Sequence, residues 1–519
     1  MGDRLDSWKE IAAYLRREIR TVQRWASGRR LPVHRLPGGD KPRVYALKTE
    51  LDRWLRSGAA ESAEVPSIAV LPFVNLAGDK ENEYFSDGLA DEVINALTRI
   101  PGLRVTARTS SFAFRGQQQD VREIGARLGA AALLEGSVRK QANRVRVSAQ
   151  LVSAEDGYHL WSECYDGELA DIFAIQNEMA RAIASALKIR LAPQPLVERW
   201  TEDVEAYNLW LRGRSIGQQY TREAVARARE FYAAALARDP AFPLPHADIA
   251  ALLFSAAHFG IVASREAAGQ AKEAVEKALA LNDSLGEAHA LLGALRGVLE
   301  YDWAGAERAF QRAFELTPGS AMVLFRHAWY YLVPKLRIRE ALDEVQRAAA
   351  QDPLSPLLHS YAGLTFICAR EYKGAEEACR IAVELAPGLW LPHWFLGAAL
   401  LLEGKLVQGF AHCREAYKQL GREPLMIAGM CAVYGLFDRR KKARQMLAEL
   451  SEIARTAYVP PLAFAWAYLG LRDERVFEWL DKAIDARDPA VTHMPSMPIY
   501  DGIRGDPRFQ KLLDRMGLG

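Results

Sequence analysis

The chain has 519 residues, half of them hydrophobic and a quarter charged, with 37 Gly and 24 Pro; these ordinary values exclude collagen-like, purely coiled-coil and wholly disordered classes and, at roughly 150 residues per domain, predict three to four domains. The net charge of +2 hides an asymmetry: residues 1–58 hold fourteen Arg and Lys against seven Asp and Glu, a net of +7, which leaves −5 for the remainder. A basic head on an acidic body assigns contact with a polyanion to the head.

In the head, Asp6-Ser7 caps a helix over 8–15, with Glu10 as its capping-box partner and Trp8, Ile11, Ala12 and Leu15 on one face. After the break Arg16-Arg17-Glu18, a second helix places Ile19, Val22 and Trp25 inward. Its outer face carries Arg20, Gln23 and Arg24, with Arg17 and Thr21 beside them. Beyond Ser27-Gly28, the stretch VHRLPGGDKPRVYA turns at Pro37-Gly38-Gly39-Asp40 and predicts a hairpin wing; Thr49 then caps a third helix with Leu51, Trp54 and Leu55. Two short helices joined by a tight turn, the second with a basic outer face, make a helix-turn-helix pattern.

The order SWKEIAAYL, RTVQRW, LPVHRLP and VYALKTELDRWL resembles the MerR/excisionase-type winged helix-turn-helix heads of bacterial regulators, over about 55 residues. Such heads often carry Gly in the inter-helix turn, where this chain has Arg16-Arg17. The partner implied is double-stranded DNA. Arg20, Gln23 and Arg24 can reach base edges, and Arg17 and Thr21 flank them. Arg35, Lys41 and Arg43 on the wing suit phosphates or the minor groove. The bland alternative is a solvated basic face on a module used for protein contacts.

Residues 59–65 read as a linker. The apolar run 67–76 suits a buried strand. A helix over 84–100, a strand over 103–109, a helix over 121–128, strands over 131–138, 144–153 and 159–165, and a long helix over 170–191 follow. The order predicts an α/β domain with a mixed sheet. The segments IAVLPFVNL, EYFSDGLADEVINALTRI, LRVTARTSSFAFRG, IGARLGAAALLEGSVRK and GYHLWSECYD are similar to the TolB N-terminal-like (FlgO-like) domain, which implies no established chemistry. No phosphate loop, dinucleotide fingerprint, HExxH or GxSxG is found. Asp91 and Glu92 read as ordinary partners of a first helical turn, and Arg108, Arg115 and Arg122 as a solvated face rather than an anion site.

From about residue 204 the chain repeats, closing at Pro240, Asp283, Pro318, Pro353, Pro387 and Gly421. The 34-residue spacing, with sets such as Ala306-Phe310-Ala313-Pro318, resembles the tetratricopeptide repeat. Cys379 and Cys413 stand at the aromatic place as core spacers, and the five cysteines, without CxxC spacing, predict reduced, mostly buried thiols. Stacked helix pairs make a concave groove that holds a protein or peptide. Repeat register turns Arg326, Tyr330, Ser360, Leu364, Trp394 and Leu401 toward it. His246, His258, His289, His327, His359, His393 and His412 each stand alone, so no metal is expected.

The whole predicts a multidomain chain: a small winged helix-turn-helix (1–58), an α/β domain with mixed sheet (66–192), an all-α tetratricopeptide-repeat solenoid of about eight repeats (204–489) and a C-terminal capping segment (490–519). The function expected is a DNA-binding transcriptional regulator that recruits or senses a protein partner through its repeats. It is expected to be non-enzymatic, without cofactor or membrane partner, cytoplasmic, and a homodimer where two heads are needed. The alternative is a non-enzymatic interaction scaffold whose head does not read DNA.

Overall fold

The computed structural model describes residues 4–5, 7–28, 31–36, 43–56, 66–77, 83–100, 102–117, 119–141, 143–189, 199–217 and 222–519. The chain forms two compact units, 1–66 and 67–519.

In the first unit, strand β1 (Arg4–Leu5) leads to α1 (Trp8–Leu15) and α2 (Ile19–Gly28). Strands β2 (His34–Leu36) and β3 (Arg43–Leu47) and helix α3 (Lys48–Arg56) follow. Ser7 caps α1, its hydroxyl accepting the Glu10 N–H at 3.2 Å. The turn to α2 is made by Arg16 at φ 52°, the left-handed position that glycine would occupy without strain. The sheet runs β1-β3-β2, all antiparallel. Ile11, Ala12, Leu15, Val22, Leu31, Ala46 and Leu51 form its core. Ile19 departs from expectation: it is 42% exposed, because it opens α2 one turn before the buried Val22. Helix α3 starts at Lys48, one residue ahead of the expected cap Thr49. The turn 37–40, Lys41, and the side chains of Arg24, Trp25, Arg35, Arg43, Trp54 and Leu55 lie outside the described residues.

The second unit begins with the α/β layer. It comprises β4 (Ser67–Val70), β5 (Val74–Asn75), α4 (Glu83–Thr98), β6 (Arg104–Val105), α5 (Arg108–Phe112) and α6 (Val121–Leu128). Then come β7 (Ala132–Gln141), β8 (Arg144–Ser153), β9 (His159–Glu168) and α7 (Ile172–Ala186). The sheet order is β6-β4-β7-β8-β9, with β5 also on β7. Strand β4 runs parallel to β6 and β7, while β7, β8 and β9 are antiparallel, so the sheet is mixed. The expected continuous strand 67–76 is broken around Pro72, which has no N–H for a ladder bond. The expected strand 103–109 shortens to two residues because the chain turns into α5.

Eight helix pairs follow among the described residues: α8 (Val204–Gly217) with α9 (Arg222–Arg238), α10 (Pro243–His258) with α11 (Ser264–Leu281), α12 (Gly286–Leu295) with α13 (Trp303–Leu316), and α14 (Ala321–His327) with α15 (Ile338–Gln351). Then α16 (Pro356–Cys368) pairs with α17 (Tyr372–Leu385), α18 (Trp390–Leu402) with α19 (Leu406–Leu420), α20 (Pro424–Leu436) with α21 (Arg440–Ile453), and α22 (Pro461–Leu471) with α23 (Arg475–Asp485). This is a tetratricopeptide-like helical array. Its period is written in the backbone: Tyr301, Leu336, Arg370, Gly404, Asp438 and Arg472 recur every 34 or 35 residues in the turns within the last six pairs, all at φ between 52° and 89°. Close packing explains the small residues. A Cβ on Gly363 would sit 2.2 Å from Cys379 Sγ, and one on Gly397 2.5 Å from Cys413 Sγ. Both thiols are buried, with Cys368 and Cys431, while Cys164 is exposed.

Two cores join these parts. Phe85 and Leu89 of α4, Tyr207 and Trp210 of α8 and Phe242 share one cluster, so the α/β layer and the first helix pairs fold onto each other. The segment after α23 returns to the middle of the array: the His493 ring stacks on Trp329 at 4.2 Å, and its Nε2–H meets the Trp329 carbonyl at 2.9 Å. Trp303 Nε1–H donates to Met516 O at 2.7 Å, and α24 (Pro507–Arg515) lies on α23.

Candidate functional site

On α2, Arg20 and Gln23 are exposed and Thr21 is partly buried; Arg17, just before the helix, is also exposed. Among the described residues, Arg17 donates only to the neighbouring Arg16 carbonyl at 3.3 Å, and neither Arg17 nor Arg20 pairs with an acid. The frame behind this row is pinned by polar contacts. His34 Nε2 meets Glu50 Oε2 at 2.6 Å, and Tyr14 O–H donates to Asp52 Oδ1 at 2.8 Å, tying α1 and β2 to α3. Arg35 and Arg43 sit on β2 and β3, where Arg35 faces Val44 and Leu36 faces Arg43 across the hairpin.

In the second unit, the inner helices of the array and the edge of the α/β layer enclose a cavity of about 2730 Å³. Five of the six residues expected on the groove line it: Arg326, Tyr330, Leu364, Trp394 and Leu401. Ser360 does not. It is fully buried and its hydroxyl donates to Pro356 O at 2.6 Å, the back-bond a helical serine makes one turn upstream. Tyr330 and Leu364 are only 6% and 5% exposed. Tyr330 is held edge-on by Phe254 at 4.9 Å and by His258 at 5.6 Å. The chain's own tail lines part of this cavity, at His493, Met497 and Tyr500, and Arg370 in the turn of the fifth pair holds that tail by donating to Ser496 O at 2.8 Å and pairing with Asp501 at 2.7 Å.

A partly buried charge cluster lies where α4 meets α8 and α10. Arg214 pairs with Asp91 at 2.7 Å and approaches Asp248 at 4.0 Å; Arg108 approaches Asp91 at 3.7 Å. Trp210 Nε1–H donates to Asp248 at 2.8 Å and Asn95 to Glu92 at 3.3 Å. Burial, reinforced by repulsion from Asp91, raises the Glu92 carboxyl to about 7. The first-turn reading of Asp91 and Glu92 is therefore corrected. Helix α4 starts at Glu83, which puts both acids in its third turn and inside the unit. Of the three arginines expected on a solvated face, Arg108 departs: it is partly buried over the Phe112 ring at 4.2 Å, whereas Arg115 stays exposed and pairs with Asp87. Arg122 stays at the surface on Asp120.

The histidines have a recurrent role. His289, His359 and His393 each place Nε2 within 3.1 Å of the carbonyl six residues earlier, at Asp283, Pro353 and Pro387, and His246 likewise bonds to the Pro240 backbone. A carbonyl only accepts, so Nε2 carries the proton. The six-residue spacing from each closing residue was visible in the chain and is the signal that finds this bond. His393 and His412 do not stand alone: their Nδ1 atoms are 2.9 Å apart, and with His393 protonated on Nε2, His412 Nδ1–H is the donor.

Comparison with known proteins places these features. No protein-family model matches the chain. A stretch of 187 residues, 36% of this chain, is 42% identical to the putative adenylate cyclase 3 of Rhizobium meliloti. An alignment over 327 residues, 62% of this chain, is 23% identical to the transcriptional regulator HilA of Salmonella typhimurium. The chain spans 32% of the first relative and 56% of the second. Among solved structures, Pseudomonas aeruginosa PilF aligns over 41% of this chain and 95% of its own, at 19% identity and TM-score 0.30. A tetratricopeptide repeat protein from Parabacteroides merdae aligns over 52% of this chain and 99% of its own, at 13% identity and TM-score 0.34. Likeness at that level adds nothing to what the chain's own helix pairs display. The similarity to a protein named as a putative cyclase corrects one expectation: a 42% match to an enzyme-named chain leaves the exclusion of enzyme activity without support. Among the described residues no helix is long and apolar enough to cross a membrane.

Proposed function

We propose that this chain is a DNA-binding transcriptional regulator. Residues 1–58 act as a winged helix-turn-helix, the TolB-like α/β layer of 66–192 couples the head to the repeats, and the repeats of 204–489, closed by 490–519, hold a protein partner. The carrying observation is the row Arg17, Arg20 and Gln23, exposed on and beside α2 in a segment of net charge +7. Cations that have no acidic partner among the described residues, on an exposed helix, suit phosphates and base edges. The weak similarity to HilA supports the same reading. One recognition helix has modest affinity, so a cytoplasmic homodimer presenting two heads to half-sites about 10 base pairs or a multiple apart supplies specificity. Fluorescence anisotropy on duplex sites selected from random sequence tests this. The parent protein should bind a selected site better than scrambled duplex, and an Arg20→Ala/Gln23→Ala variant should lose the difference. A parent that prefers no sequence overturns the reading.

A second reading is favoured by the 42% match. It gives the chain an activity of the kind named for that relative, acting on a nucleotide. Incubating the full-length protein with ATP and a divalent cation, and following cyclic AMP, decides it.

A further inference from the structure

Arg439, Arg440, Lys441, Lys442 and Arg444 put five cations into six consecutive positions of a body that is otherwise net acidic. All five are exposed. They open α21, whose first turn has no acid and whose cap, Arg439, makes no side-chain capping bond. Cations at a helix N-terminus oppose the helix dipole, so the placement works against the helix itself. Among the described residues only Arg440 has an acidic partner, Asp438 at 3.0 Å. Arg439 and Lys442 instead lie over the Phe410 and Tyr434 rings at 5.5 and 5.4 Å.

Beside the cations is an exposed apolar surface: Val407 at 85%, Leu436 at 59%, Leu406 at 44% and Leu402 at 40%. Phe410, one turn beyond Leu406 and Val407, meets Phe437 at 5.3 Å and Tyr434 at 5.8 Å, which joins the two neighbouring turns into one face. The nearby Glu403 is taken up by Lys405 at 3.1 Å.

We propose that this edge, formed by the turn between α18 and α19 and the start of α21, docks an acidic amphipathic segment of a protein partner. The partner's apolar side chains cover Leu402, Leu406, Val407 and Leu436, and its carboxylates meet the cations. The inference rests on the reading that the repeats hold a protein, and it moves the contact from the inner face, part of which the chain's own tail lines, to the outer edge. Phosphates alone would leave the aliphatic side chains wet. A bilayer would require a broader apolar face than two short turns provide.

The test uses full-length protein and a short labelled peptide of alternating Glu-Glu and Leu-Leu pairs, read by anisotropy. Lys441→Glu/Lys442→Glu and Leu406→Ser/Val407→Ser should each weaken binding by about tenfold or more, with the thermal transition retained. Arg326→Ala on the inner face should bind like the parent. An all-Glu peptide binding equally well overturns the proposal. So does preferential capture of phosphatidylserine vesicles or duplex DNA through these residues. Loss of the peptide in the inner-face variant alone keeps a repeat-bound partner but defeats this edge; no binding by any form defeats both.

Discussion

Ser110 and Asp352 stand 242 residues apart and share a buried hydrogen bond: Asp352 Oδ1 accepts the Ser110 N–H at 2.9 Å and also its hydroxyl. The same hydroxyl oxygen accepts the Leu354 N–H at 2.7 Å. One serine of the α/β layer thus holds the turn between the fourth and fifth helix pairs. Ser110→Ala leaves the Leu354 N–H without its acceptor and removes a donor from Asp352, at a cost of about 1–3 kcal/mol. Urea unfolding followed by circular dichroism should register that loss, and tryptophan fluorescence should give the same midpoint if the layer and the array unfold together.

The recurrent left-handed turn residues predict where glycine helps. Leu336 is 56% exposed at φ 58°, so its side chain contributes little packing while its backbone is strained. Leu336→Gly should raise stability by several tenths of a kcal/mol to about 1 kcal/mol, and Gly404→Ala should lower it by roughly 1–2 kcal/mol. Denaturant midpoints of the two variants should move in opposite directions.

His493 sets an acid limit. Burial lowers its folded pKa from 6.5 to about 4. The unfolded chain therefore takes up this proton first as pH falls, and the contribution of neutral His493 is whole above pH 6.5 and shrinks below it. The loss is up to about 1.4 kcal/mol per pH unit until the folded group itself protonates. His493→Gln should be less stable than the parent above pH 6.5, and the gap should close on acidification. A gap that stays constant from pH 7 to pH 4 would contradict the neutral buried ring.

Arg20→Ala should cost on the order of 1–3 kcal/mol on a selected duplex if the contact is bidentate, and should relax preference at one base position. An Arg that touches only phosphate would instead weaken all sequences alike and flatten the log–log salt slope by about 0.9. Titrations at several salt concentrations, on selected and scrambled duplexes, separate the two.

How much was legible in the chain depends on the range of the interaction. The α1 helix and its Ser7 cap, the mixed sheet and the 34-residue helix pairs follow from contacts a few residues apart: an N-cap oxygen, an apolar periodicity, a small residue opposite a thiol. Ile19 was misread because helical spacing alone cannot tell a first residue exposed at a helix mouth from one turned inward. Ser360 was misread because a polar residue on an inner helix can satisfy its hydroxyl one turn back and vanish from the surface. Asp91 and Glu92 look like ordinary first-turn acids until α4 is laid on α8, which buries both and brings the partly buried Arg214 onto Asp91. The Ser110–Asp352 bond, the His393–His412 pair and the return of His493 to Trp329 rest on where the array brings separate segments. Local side-chain and backbone preferences therefore determined the elements and their period, whereas only the packing of whole helices, by excluding water from particular groups, decided which charges are buried and which face of the array stays open.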